Sequence, residues 1–147
     1  CNTAHAFKPE IEAAVSIPLL SMIDATVDAA IESGAQRVGV LAADGCRRAR
    51  LYQNAFEARG VDAVFLADEA QQDFMTLIFR VKAGDVGDDV QRRMQQLALS
   101  LNARGAQAVI AACTEVPLVL SSDTLAAPVI SSTDALVARA IEFANRN

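Results

Sequence analysis

The sequence has 147 residues, 52% of them hydrophobic and 21% charged, with a formal net charge of −5. A chain of this size buries roughly two thirds of the surface it exposes when unfolded, enough for one well-packed domain or one and a piece. Its acidic balance, with Arg47-Arg48 and Arg92-Arg93 as the only adjacent basic pairs, argues against a nucleic-acid surface, which needs a basic footprint, yet leaves room for a small anionic substrate held by local donors.

Cys1, Cys46 and Cys113 are an odd, widely spaced set in a chain too long to need disulfide staples. That points to reduced thiols and a cytoplasmic setting. No stretch has the length of a membrane span, so no membrane partner is expected, and none reads as a signal peptide. The sequence opens on Cys1 rather than Met. An acylated lipoprotein cysteine should be followed by a polar, flexible tether, whereas here a helical segment follows almost at once. The chain is therefore read as a fragment whose preceding strand is left out.

In chain order, Pro9 to Val15 reads as a short helix, and Pro18 keeps Ile17 extended. Ser21 to Ser33 is an amphipathic helix with Ile23, Val27 and Ile31 at steps of four and Gly34 as its stop. Arg37 to Ala42 is a buried strand, Ala43 to Cys46 the loop leaving it, and Arg47 to Arg59 a helix ending at Gly60. Val61 to Leu66 is the next strand. Glu69 to Val81 is helical through Phe74, Leu77, Ile78 and Val81, and runs into a loop at Lys82-Ala83-Gly84. From Asp85 as cap, Val86, Val90, Met94, Leu97 and Leu101 mark a long helix that stops at Gly105. Pro128 to Ile130 is a short strand and Thr133 to Asn147 a closing helix. Strands separated by helices of these lengths imply an α/β fold, a parallel sheet flanked by helices.

Ala106 to Pro117 is the chemical centre of this pattern. A nearly unbroken apolar run ends in Cys113-Thr114-Glu115, and Pro117 suits the opening of a helix. In open α/β sheets ligands bind just beyond such strand ends. Cys1-Asn2-Thr3-Ala4-His5 repeats the idea, a thiol beside a hydroxyl before a helical segment. Two thiols in matching settings point to a pair that works together.

Cys-Asn-Thr-Ala-His at 1–5, Val81-Lys82-Ala83-Gly84, and Cys-Thr-Glu-Val-Pro at 113–117 together resemble the aspartate/glutamate racemase family, most of all its aspartate-racemase-like, cofactor-independent members. The likeness runs from Cys1 to about Arg139. It implies two similar Rossmann-like lobes facing one another across a cleft, with one catalytic cysteine from each, in proteins longer than this chain. On that reading residues 1–20 are the remainder of a first lobe, 21–122 the second lobe, and 123–147 a strand and helix returning to the first. A homodimer is expected, by the family's habit and by the apolar surface that a missing segment would leave.

The chemistry requires two thiols because inversion needs a base on one face of the α-carbon and an acid on the other. A thiol's unperturbed pKa is near ~8.5, and a helix N-terminus lowers it, so one cysteine can be thiolate while the other stays protonated. The resemblance makes Cys1 and Cys113 catalytic. Asn2, Thr3, Thr114 and the neighbouring main-chain N–H groups would bind the α-carboxylate. By the same likeness Lys82 would hold the side-chain carboxylate of an amino-acid substrate, and Glu115 would accept its ammonium or tune Cys113. No metal or pyridoxal phosphate is implied. His5 could tune Cys1 or hold its turn.

Ala43 and Cys46 stand where the family commonly has two threonines, and Ser131 where many members have aspartate. Two other readings therefore accompany the racemase. Maleate isomerases, hydantoin racemases and arylmalonate decarboxylases reuse one or both cysteine positions, although paired thiols argue against the decarboxylase. A non-catalytic lobe that binds a small acid would also fit Ala43, Cys46 and Ser131.

Overall fold

A computed structural model describes residues 1–122 and 125–146; Asn147, the expected end of the last helix, lies outside them. Four parallel strands form one sheet: β1 (Arg37–Ala42), β2 (Asp62–Phe65), β3 (Ala108–Ala112) and β4 (Val129–Ser131), in the order β2-β1-β3-β4. The helices are α1 (Lys8–Ala14), α2 (Met22–Glu32), α3 (Asp44–Arg48), α4 (Leu51–Glu57), α5 (Asp68–Lys82), α6 (Asp88–Ala103) and α7 (Ser132–Arg146), with 3₁₀ turns at Asn2–Phe7 and Val116–Leu118.

The central strands are buried on both faces, as their continuous apolar sequence requires. Val38, Val40, Ala42, Ala108, Ile110 and Ala112 pack toward Val27, Tyr52 and Phe56 of α2 and α4. Leu41, Val109 and Ala111 pack toward Phe74, Ile78, Met94 and Leu101 of α5 and α6. The predicted apolar positions of α5 and Val90, Met94, Leu97 and Leu101 of α6 are all buried, whereas Val86, expected on the same stripe, is exposed and precedes the helix; each such buried Leu, Phe or Met contributes roughly 1.5–3 kcal/mol. Ser21 caps α2 by accepting from the Asp24 N–H at 3.1 Å.

Several local expectations are corrected. The segment Ala43 to Cys46 is not a loop: Asp44 already begins α3. The single helix expected from Arg47 to Arg59 is broken at Arg50, whose φ of 54° separates α3 from α4. Helix α6 starts at Asp88 with Gly87 as cap, because Asp85 is engaged by Arg80 and by the Gly87 N–H. Lys82 is the last residue of α5 rather than a loop residue. Ile31, expected on the buried stripe of α2, is 39% exposed, and Ala30 takes the core position. Helix α1 forms but buries none of its residues. At the other end of the sheet β4 pairs with β3, and α7 meets α2 through Arg139 and Asp28 at 2.7 Å.

From β1 the chain runs outward to β2, then returns across β1 to β3 and on to β4. The reversal makes β1 and β3 the point where the strand order switches, and open α/β sheets bind their ligands beyond the carboxyl ends of such strands. Among the described residues no helix is long and apolar enough to cross a membrane.

Candidate active site

Cys113 directly follows β3 and is 9% exposed, with Thr114 exposed and Glu115 half-buried beside it. The Cys113 thiol donates to Glu115 Oε2 at 2.9 Å, and the Thr114 hydroxyl donates to the same oxygen at 3.1 Å. On the other side Lys82 Nζ stands 3.9 Å from Glu115 Oε1. The end of α5 and the loop after β3 thus bring Lys82, Cys113, Thr114 and Glu115 into one cluster.

The sequence leads one to expect a helix N-terminus that acidifies this thiol, but only the three-residue 3₁₀ turn Val116–Leu118 stands beyond Cys113. Burial, then the Glu115 hydrogen bond and charge, push Cys113 up to about 12. Partial burial works to raise Glu115 as well, but the Cys113 and Thr114 hydrogen bonds and the Lys82 charge hold it below the usual carboxylate range. The resting arrangement is a carboxylate accepting from a protonated thiol. At about pH 8 such a thiol is almost wholly protonated. Glu115→Gln removes the opposing charge. Alkylation of Cys113 by iodoacetamide, measured by peptide mass spectrometry, is expected to speed up by roughly tenfold, one unit of thiol pKa. Cys46 should be unaffected, and an unchanged Cys113 rate would mean that burial alone sets its reactivity.

The Cys1 segment lies over the same end of the sheet. Asn2 is 3% exposed and donates through Nδ2 to Ser132 Oγ at 3.0 Å, and Ser132 donates to the Ala111 carbonyl of β3 at 2.9 Å. Thr3 packs on the first turn of α3 at Gly45, where a Cβ would lie 2.7 Å from its methyl. Cys1 itself is exposed. His5 holds the turn: its Nε2 accepts from the Met22 N–H at 3.0 Å, so Nδ1 carries the proton toward the Cys1 carbonyl at 3.3 Å. Burial lowers the pKa of His5, which favours this neutral form.

Cys46 is 1% exposed in the core between the sheet, α2 and α4, and burial pushes its thiol up to about 11. It behaves as a small apolar side chain. Ser131 Oγ accepts from the Asp134 N–H at 3.2 Å at the start of α7. Sequence reasoning passes over Tyr52 and Ser132, whose hydroxyls complete the buried bonds of Asn2. Tyr52 stands four residues before Phe56 in the expected helix, which marks its ring as core but gives no signal for its hydroxyl, and Ser132 lies outside the expected closing helix.

The segment that follows Cys1 is thus linked through Asn2 and Ser132 to β3, the strand that ends at Cys113. A sequence profile of the Asp/Glu/hydantoin racemase family matches residues 1–140. The chain belongs to this family. Relatives with assigned activities include racemases, a class of isomerase. Broad specificity amino-acid racemase RacX of Bacillus subtilis is 29% identical over 136 residues, covering 92% of this chain and 59% of RacX. An uncharacterized protein from the pnlA 3′ region of Pectobacterium carotovorum is 28% identical over 127 residues, 85% of this chain and 84% of its own. Aspartate racemase of Picrophilus torridus superposes with a TM-score of 0.81 at 26% identity, over 99% of this chain and 60% of that one. The present member of the racemase family thus spans about three fifths of RacX and of the Picrophilus enzyme.

Proposed function

We propose that this protein is a cofactor-independent amino-acid racemase of the aspartate/glutamate type, inverting the α-carbon by proton transfer between Cys1 and Cys113. The observation that carries the reading is the Asn2–Ser132–Ala111 connection, which fastens the segment headed by Cys1 to the strand that ends at Cys113. It supports a site in which the two thiols address opposite faces of one substrate.

With Cys113 protonated at rest, Cys1 as thiolate takes the α-proton, and Cys113 delivers its own proton to the opposite face. Charge developing on the α-carboxylate is met by main-chain N–H groups of Asn2, Thr3 and Thr114 and by the Thr hydroxyls. Asn2 acts through its main chain, because its side-chain amide is taken up by Tyr52 and Ser132. Lys82, 54% exposed on its side chain, reaches for the substrate's second carboxylate, and Glu115 receives the α-ammonium. That ammonium offsets the Glu115 charge and so eases ionisation of Cys113 for the reverse direction. The division into a first-lobe remainder (1–20), a second lobe (21–122) and a returning segment (123–147), a homodimeric state and a cytoplasmic setting belong to the same reading.

The test is α-hydrogen exchange by NMR with L- and D-aspartate in deuterated buffer, using the full-length protein, and then with glutamate and a panel of other amino acids. Exchange accompanied by inversion of aspartate is expected. Tight aspartate binding with no exchange of either enantiomer would replace this reading with that of a non-catalytic acid-binding lobe.

A further inference from the structure

Among the described residues, four polar side chains are buried: Asn2, Thr26, Gln71 and Ser132. Three of them converge on Tyr52, itself fully buried on α4. Gln71 is elsewhere, at the end of β1, where it donates to the Ala42 carbonyl and to Asp44. Buried polar groups are costly unless paired, so a cluster of them beneath a reactive residue calls for a reason.

The hydrogens in this cluster can run in one direction only. Ser132 has a single hydroxyl proton and gives it to the Ala111 carbonyl at 2.9 Å, so it must accept from Asn2 Nδ2. That fixes the orientation of the Asn2 amide, with Oδ1 turned toward Tyr52. The phenol donates to it at 2.6 Å. Burial pushes the phenol's ionisation well upward, so it remains a donor. The Tyr52 ring also stacks on Phe56 at 6.0 Å. Phenylalanine would fill the same space, and the hydroxyl is what distinguishes tyrosine there.

We propose that Tyr52 and Ser132 are positioning residues for Cys1: the directed chain Tyr52–Asn2–Ser132–Ala111 sets where the first thiol stands relative to the end of β3. This inference rests on the racemase reading above for its consequence. The other bonds to Cys1 are local, from Ala4 N–H at 3.2 Å and His5 Nδ1 at 3.3 Å, both to its own carbonyl. They shape the turn and, through His5 Nε2 accepting from the Met22 N–H, anchor it to α2, but neither bond reaches the sheet. Asn2 makes the tie: Ser132 carries it to β3, and Tyr52 fixes the orientation of the amide that makes it. Thr3 seated on Gly45 limits movement toward β1 but carries no direction toward β3.

Proton transfer is sensitive to such placement, since a misplacement of about 1 Å costs about a hundredfold. In Tyr52→Phe and in Ser132→Ala the enantiomer whose α-hydrogen faces Cys1 should exchange roughly ten- to a hundredfold more slowly. The enantiomer deprotonated by Cys113 should keep its exchange without inversion. A loss of folded protein would lower both enantiomers alike, so the asymmetry separates positioning from simple destabilisation.

Amide hydrogen exchange across Asn2–Phe7 supplies a readout free of activity, and it should accelerate in both variants while β3 stays protected. Equal changes for the two enantiomers, or an unchanged Asn2–Phe7 segment, would overturn the positioning role. If the unsubstituted protein exchanges neither enantiomer, the racemase reading fails by itself, and the amide measurement still decides whether Tyr52 and Ser132 hold the segment.

Discussion

Alanine in place of Cys113 is expected to remove inversion of aspartate in both directions, with kcat/KM falling by at least about 10²–10⁴-fold, the usual contribution of a positioned acid or base. Each direction uses both thiols, one as base and one as acid, so neither direction can survive the loss of either. Exchange without inversion behaves differently. In Cys113→Ala the enantiomer whose α-hydrogen faces Cys1 can still lose and regain it on that face, while its mirror image is inert. Cys1→Ala should give the opposite pattern. This mirrored residual exchange is the signature of two bases on opposite faces. Cys113→Ser should resemble the alanine variant, because a hydroxyl in the same buried place beside Glu115 is a far weaker acid than a thiol already pushed up to about 12. Inversion retained above about a tenth in either alanine variant would rule out the two-thiol mechanism. Cys1→Ala should cost little stability, since Cys1 is exposed.

The parts of this arrangement differ in how legible they are in the sequence. Strand β1 can be read to the residue, Arg37 to Ala42, because its apolar run is bounded by a charged residue and a change of pattern. The α5 and α6 faces are legible because four or more apolar positions repeat at helical spacing. The break at Arg50 is not, since no glycine or proline announces it and a positive φ at arginine runs against local preference. The helix expected after Pro117 shortens to a 3₁₀ turn because Val116, Val119 and Leu120 fold back into the core beside α5 and α6. At the site, the Cys113-Thr114-Glu115 cluster comes from adjacency in sequence, and only its distance to Lys82 needs coordinates. The Asn2 environment cannot be read at all. Its partners lie 50 and 130 residues away, and a buried tyrosine hydroxyl has the same helical periodicity as a phenylalanine. The same limit applies to the acidity of Cys113, where the apolar run marks the strand end but not the depth of burial.

Gly39 presents that limit most sharply, since a glycine inside a buried strand reads as a weak position and the packing reveals a required one. A Cβ at Gly39 would lie 2.8 Å from Leu101 Cβ and 3.2 Å from Ala106 Cβ. Both are bound directly to backbone, so neither can swing aside, and Leu101 is fully buried. Gly39 is therefore what lets α6 press directly on β1. Its φ is not positive, so the constraint is space alone. Valine there would gain β-propensity and lose unfolded-state freedom, together favouring the fold by up to about 1–2 kcal/mol. Overpacking works against it by about 3 kcal/mol or more, because the whole of α6 must move away from the sheet. The expected net result for Gly39→Val is a loss of roughly 2 kcal/mol and a fall in Tm of roughly 5–8 °C, measured by urea and thermal unfolding. Leu101→Ala alone should also destabilise, by about 2–5 kcal/mol through the cavity it opens. Shortening Leu101 in the Gly39→Val background restores room for the new side chain, so the double variant should be more stable than the sum of the two losses. Strict additivity of the two changes would mean that α6 does not meet β1 at Gly39 in the way described.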